Sequence, residues 1–430
     1  MSNGNGIPVL KFGSWATEST FSSGPSAGQP TKVPPTGDVW IPSTPATAPQ
    51  MNYLLNADAQ DHVALLALSV AQGFMNWASG LAPPVDGTFV TSGQWDAVAY
   101  DSFYQRWVAI DGSPTSSQVC GYDSVDMGKT WVQHFALTGV GGPSTNCNVL
   151  GFAADIAGNA IVLFADHAGL SGGTETCLAN LYQQGGFSTP LQIATSLATA
   201  GLVFAEPTGT GAQFVAISAT QGGGSFTATA YKVIPNAFSN PTDTTLTLPS
   251  GWASGTNHIG QFFAAPSVAL GETLVAMAGV TPGTDTAQLL LVTWTGSAYT
   301  FTSATFAALS GQIITGIARS DASSLWGVMA SDGTHSHFYT SPDLTTWTLQ
   351  GTYSWQSTGL ASIGSTWITL QADPFNVTWR PAISQDNGVT WHPGSFAFGS
   401  KPAAQIAVGP AQAMVFSGAL LSKSEIVGLT

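Results

Sequence analysis

Charge is what this chain has least of. Only 7% of its 430 residues are Asp, Glu, Lys or Arg, against roughly 25% in an ordinary soluble domain. The nine basic residues stand singly, at Lys11, Lys32, Arg106, Lys129, Lys232, Arg319, Arg380, Lys401 and Lys423. No basic stripe exists, so phosphate-backbone binding lacks its electrostatic footprint and nucleic acid is not expected as a partner. The net charge of −14 also disfavours a polyanionic receptor. Cysteine is scarce as well. Cys120, Cys147 and Cys177 are an odd number without CxxC spacing, which implies neither a disulfide framework nor a metal. Cys120 and Cys177 fall in strand-like runs and read as small buried apolar residues. The N-terminus, MSNGNGIPVLKFGSW, lacks the charged start and apolar core of a signal peptide. No apolar run reaches the roughly 18 residues of a membrane span. Folding in a cytoplasm, with exit by a route other than secretion, is the expectation.

What replaces charge is glycine (49 residues), serine and threonine, beside an apolar fraction of 44%. That is the composition of many short strands joined by tight turns, with exposed faces made polar by hydroxyls. Three segments follow one another. Residues 1–46, with FSSGPSAGQPTKVPPTGD as their clearest stretch, read as an extended Pro/Gly/Ser-rich attachment arm. Residues 47–80 read as an α-helix for assembly or docking. Thr47 can cap it, Pro49 suits its first turn, Gln50 can bond back, and Gly80 with Pro83-Pro84 ends it. Its apolar residues include Met51, Tyr53, Leu54, Leu55, Leu65, Leu66, Phe74 and Trp77, too many for a lone exposed helix. Bundling of copies into a trimer or higher homo-oligomer is favoured over docking on the same chain.

Residues 87–430 are repetitive. Four short strands recur six times from residue 94, beginning with QWDAVAYD, RWVAID, SQVCGYDS and KTWVQHFAL. The second strands are runs of small and β-branched residues, as inner strands packed between neighbours should be. After residue 400 only three strands remain, so GTFVTSG at 87–93 is expected to supply a fourth and close a ring. The expected fold is all-β, a β-propeller of seven four-stranded blades with N/C-terminal strand closure, six blades being the runner-up.

One motif recurs between the third and fourth strands. Ser124-Val-Asp126-Met-Gly128-Lys-Thr130-Trp131 and Ser384-Gln-Asp386-Asn-Gly388-Val-Thr390-Trp391 both read S-x-D-x-G-x-T-W, and Ser341-Pro-Asp343-Leu-Thr-Thr346-Trp347 is a shortened copy. This resembles the Asp-box repeat of sialidase-type propellers. The carboxylate should accept backbone N–H groups of its turn, the glycine take the left-handed conformation and the tryptophan bury between blades. The resemblance implies a structural role for these residues, since the family's boxes lie away from its active site.

Catalysis is not expected. A sialidase needs three converging arginines, and Arg106, Arg319 and Arg380 occupy non-equivalent places in their repeats. None of Glu18, Glu175, Glu206, Glu272 and Glu425 stands in a motif that pairs it with a tyrosine or a second carboxylate. His335 and His337 share one side of a strand with Asp332 nearby, but nothing completes a metal site. There is no nucleophile elbow or nucleotide loop, and no cofactor is implied.

The stretch PSTPATAPQMNYLLNADAQDHVALL is similar to the leader of many tailed-bacteriophage fibre, spike and related virion proteins, where a Gly/Pro-rich segment precedes an Asn-Tyr/Trp-Leu-x-Asn helix. It covers about 40 residues. The resemblance implies a virion protein assembled in the host cytoplasm. Residues 1–80 would join other tail or capsid proteins, and the propeller would bind a host-surface glycan. A purely structural tail or capsid component (nozzle, collar, decoration) is the alternative, and a sialidase-like glycosidase the second. Ligand is expected on the face carrying the second-to-third strand loops.

Overall fold

A computed structural model describes residues 75–78 and 96–426, less short loop stretches such as 114–117, 126–129 and 139–146. The chain partitions into a unit of Asn76–Glu425, which holds the sheets, and the terminal stretches Met1–Met75 and Ile426–Thr430. Expectations for residues 1–74 and 87–93 lie outside the described residues, and with them Met51, Tyr53, Leu54, Leu55, Leu65, Leu66 and Phe74.

The described strands form seven sheets, and their registers are antiparallel throughout. Six are contiguous in the chain, six blades each made of consecutive strands between Ala97 and Pro393, which is the runner-up count. The strands that open them are Ala97–Asp101, Cys147–Ala154, Ala200–Ala205, Ile259–Ser267, Ile313–Ser320 and Ser357–Ile363. Each lies beside the next. Ala407–Val408, the innermost strand of the remaining sheet, touches both the first and the sixth. The sheets therefore close a ring about a central channel, and the remaining composite sheet fills the gap between the sixth blade and the first.

The order of that composite sheet runs Met75–Ala78, Leu420–Ile426, Ala413–Ser417, Ala407–Val408, so one strand from the N-terminal side completes three from the C-terminal side. Closure by a shared sheet is as the repeat count requires, and the fourth strand of that sheet lies among the described residues. It is Met75-Asn76-Trp77-Ala78, which the sequence assigns to the end of a helix. Trp77 thus sits in a strand, and the helix cannot extend to residue 80. The reason is tertiary. The backbone of Leu420–Ile426 presents an unpaired edge, and a four-residue partner that satisfies it outweighs local helix preference.

Core residues lie between blades. One cluster joins Val98, Trp107, Tyr122 and Trp131 of the first blade to Ala407 and Met414 of the composite one. Others join the third blade to the fourth through Phe226, Trp252 and Phe262, and the fifth to the sixth through Phe338 and Trp367. Second strands are flanked on both faces, which is why Ala160–Asp166 is buried at every position. Trp107, Trp326 and Trp367 stand near the start of three such strands, all at 2% exposure or less. All three cysteines are buried and none is in a disulfide, and burial, reinforced by Asp111, pushes the Cys120 thiol up to about 12. Among the described residues no helix is long and apolar enough to cross a membrane.

Candidate functional site

Antiparallel order puts the turns after first and third strands on one face of the ring and those after second strands on the other. On the first face, the S-x-D turns of the fifth and sixth blades are stitched by their own side chains. Asp343 Oδ1 accepts the N–H groups of Thr345 (2.9 Å) and Thr346 (2.8 Å), while Ser341 Oγ accepts that of Leu344 at 2.8 Å. Those donations hold the Asp343 carboxyl down at about 2. The sixth blade repeats the scheme: Ser384 Oγ accepts the N–H of Gly388 and donates to Asp386 Oδ1, both at 2.8 Å, and Asp386 Oδ1 accepts from Thr390 at 2.9 Å. Leu344 (φ 61°) and Gly388 (φ 88°) take the left-handed conformation the turns require.

The tryptophans bind each blade to its predecessor. Trp347 stacks on Phe306, ring centroids 4.5 Å apart, and Trp391 meets Phe338 edge-on at 5.6 Å. In the first blade Ser124 and Trp131 are buried and Thr130 is exposed, while Asp126 and Gly128 lie outside the described residues.

Turns from first to second strand carry a second capping device, which the motif pattern of the sequence does not single out. An acid or serine closes the first strand and turns back on its own loop. Asp101 Oδ1 accepts the N–H groups of Phe103 and Tyr104, and its Oδ2 pairs with Arg106 at 3.2 Å. Asp155 Oδ1 accepts those of Ala157 and Asn159, and its Oδ2 the side-chain amide of Asn159. Glu206 accepts the Thr208 N–H at 2.7 Å and the Thr208 hydroxyl, both through Oε1. Ser267 and Ser320 serve the fourth and fifth blades. A signal for it does exist, since QWDAVAYD, VLGFAAD and GLVFAEP place an acid at one register.

The central channel holds a cavity of about 390 Å³, lined by the first strands of the six blades and by Ala407–Val408 of the composite sheet. Its lining extends to Asp155, Ile156, Glu206, Pro207, Pro266 and Val268, so it reaches the face of the first-to-second strand turns. That is the face opposite to the one expected for a ligand. A cavity of about 330 Å³ lies towards the other face, between the fourth, fifth and sixth blades, beside Gly279, Val280 and Thr358. Glu206 is 2% exposed, and its Oε2 has no hydrogen-bond partner among the described residues. The hydroxyl of Tyr299, from the next blade, has none either. Burial first, and then the charge of Glu206, raise that phenol above its ordinary range. The fold thus brings Glu206 near a tyrosine, although nothing in the local sequence pairs them.

The arginines are spread as the repeat predicts. Arg106 is buried between Asp101 and Asp123, with Nη1 donating to Asp123 at 3.1 Å. Arg319 pairs with Asp321 at 3.0 Å and lies over the Trp326 ring. Arg380 is exposed in the sixth blade. None of the three lines the channel.

On the opposite face Asp332 Oδ1 caps its turn by accepting the N–H groups of Thr334 and His335, and Oδ2 meets His337 Nε2 at 3.2 Å. Burial opposes ionisation there, yet the backbone donations overcome it and hold Asp332 well below the usual carboxylate range. Among the described residues no group of His, Cys, Asp and Glu has the arrangement of a metal site. Asp96 on this face behaves otherwise. Burial raises it from 3.8 to about 6 despite the N–H of Gly112 at 2.6 Å. Folded and unfolded chains are both protonated there below pH 3.8, whereas above pH 6 the folded chain carries a disfavoured charge. Stability is therefore lost as pH rises through this window. Asp96→Asn should stabilise by about 2 kcal/mol at pH 7.5 and by little at pH 3.5, since each tenfold change in acidity corresponds to about 1.4 kcal/mol and partial exposure screens some of it. Urea unfolding at the two pH values reads this directly, and an equal change at both would refute it.

No known sequence family matches the chain, and neither does any curated protein. Solved structures do. The Dos1 propeller is 8% identical, with a TM-score of 0.51 over 83% of this chain and 96% of that one. The Myceliophteria thermophila Cps50 (Swd1) β-propeller domain is 12% identical, with a TM-score of 0.49 over 81% and 99%. A Hadza microbial sialidase, Hz136, gives 11%, 0.40, 77% and 65%. The likeness is one of fold: this chain is a β-propeller. Residues that the matched propellers use for function do not transfer at such identity.

Proposed function

We propose that this propeller is a binding module displayed on a tailed-phage particle, with host-surface glycan as its ligand and residues 1–74 as its link to other virion proteins. The observation that carries the reading is the leader-like sequence from Pro42 to Leu66, joined to a propeller whose channel lining contains no arginine. Asp-box turns support a scaffold role for their carboxylates. The backbone donations onto Asp343 and Asp386 occupy them in turn formation. Assembly of copies through the leader and residence in the virion belong to the same proposal, as does the absence of glycosidase activity.

The test is adsorption. Fluorescently labelled full-length chain should bind host cells and, in excess, should slow phage adsorption in a plaque assay. Binding by neither measure, with the chain still found in purified particles, would leave the purely structural component as the correct reading. Release of fluorophore from an aryl sialoside would instead establish a glycosidase.

A further inference from the structure

We propose that the smaller cavity, between the fourth, fifth and sixth blades, is a site for a neutral hexose unit, with Gln261 as its central hydrogen-bonding group. The inference rests on the glycan-binding reading and narrows it to a place and a chemical class.

The first strands of these three blades share an irregularity. Their pairing with the second strands skips one residue in each blade, at Gly260, Thr315 and Gly359. A residue skipped in this way stands outside the ladder, and such bulges re-aim side chains at the rims of closed sheets. Gly260 and Thr315 line the cavity, and Gly260 is exposed. Beyond the bulge, Gln261 and Phe263 share one side of their strand, and both line the cavity half-buried. The Gln261 carboxamide bonds to no other side chain or backbone group among the described residues, and neither of its polar atoms is enclosed. It therefore offers two N–H donors and an acceptor to whatever enters. The wall beside it is held in place. Thr315 Oγ1 meets Ser357 Oγ at 2.8 Å, and the Ser336 hydroxyl donates to Ser357 at 3.0 Å, tying the fifth blade to the sixth. A wall fixed before binding leaves less freedom to lose when a ligand arrives.

What the cavity lacks selects the ligand. Its lining holds no Asp, Glu, Lys, Arg or His. An ionised sugar would lose hydration there without a counter-charge, whereas a neutral one can exchange water for the carboxamide and the open backbone of Gly260. Phe263, Val280 and Ile313 add apolar surface for the C–H face of a pyranose. A volume of about 330 Å³ falls within the usual range of small-molecule sites.

Titration calorimetry and saturation-transfer NMR of the full-length chain with D-glucose, D-galactose and D-mannose, each beside its uronic acid, test this. At least one hexose should bind, and its uronic acid should bind about tenfold more weakly or not at all. Gln261→Leu keeps the bulk of the wall and should weaken that hexose about tenfold, the loss of two neutral hydrogen bonds. Val280→Arg, at an exposed position on the rim, supplies the missing counter-charge and should bring the uronic acid to the affinity of the hexose. Val268→Arg, exposed on the opposite mouth, should not. The two arginine variants decide the matter even if Gln261→Leu fails to fold. Binding of no hexose, equal binding of the uronic acid by the unaltered chain, unchanged affinity in folded Gln261→Leu, or one response to both arginines overturns the site. If the chain adsorbs to cells while Gln261→Leu adsorbs equally and binds hexose unchanged, this site fails and the wider reading stands. If hexose binds through Gln261 but cells are not adsorbed, the wider reading fails and the site stands.

Discussion

A chain shortened to begin at Met75 should melt as the full-length protein does, and one shortened to begin at Ser79 should not. The difference is the strand Met75–Ala78, which pairs with Leu420–Ile426 and completes the composite blade. Four residues contribute about four backbone hydrogen bonds, worth about 4 kcal/mol together. For a domain of this size that corresponds to a fall of about 5 °C in melting temperature. The bare edge of Leu420–Ile426 should also recruit other chains, because an unpaired strand is a template for association. Calorimetry with light scattering reads both effects. Equal melting temperatures for the two truncations would show that the composite blade does not need its fourth strand. The same pair of truncations guards any test of assembly through the leader, since removing residues 1–80 would remove the closing strand and confuse misfolding with loss of a partner.

The second large effect is expected at Gly388. Its φ of 88° is left-handed, its N–H caps onto Ser384 at 2.8 Å, and its carbonyl accepts the Tyr353 hydroxyl. A Cβ there would fall inside the ring of Phe338, which is fully buried and packed against Trp367 and Trp391. Gly388→Ala therefore combines backbone strain with overpacking, about 2–5 kcal/mol in sum. Gly364→Ala supplies the control. Gly364 has a φ of 59°, but nothing lies within 4 Å of an added Cβ, so only strain of about 1–2 kcal/mol applies. Chemical denaturation of both variants separates the two causes. Equal losses would mean that Phe338 moves aside without penalty.

Much of the ring is legible in the sequence because its rules are local. First, second and third strands announce themselves by length and by small or β-branched residues. The turns at Asp343 and Asp386 carry their hydrogen-bonding residues within seven positions. What is not local is misread. MNWA ends an apolar stretch with a capped start and a glycine stop, so period and capping both favour helix; only pairing with a strand about 340 residues away makes it extended. GTFVTSG is the better strand by composition, yet composition does not choose the partner. Glu206 escapes notice for a different reason. In sequence it is one more acid at the end of a first strand. Its idle oxygen depends on Thr208 donating twice to the other one, and its neighbour Tyr299 arrives from the following blade.

The composite blade also fixes when the ring can become complete. Met75–Ala78 leaves the ribosome early and has no partner until Leu420–Ile426 follows. During that interval six blades can form from consecutive strands, each stacking on the one before, while the clasp waits open. Fastening it closes a loop of about 340 residues, an entropic cost of about 5 kcal/mol in an unstructured chain, and far less once the six blades have brought the ends together. Folding should therefore finish with a cooperative locking step, as contacts of long sequence separation form last.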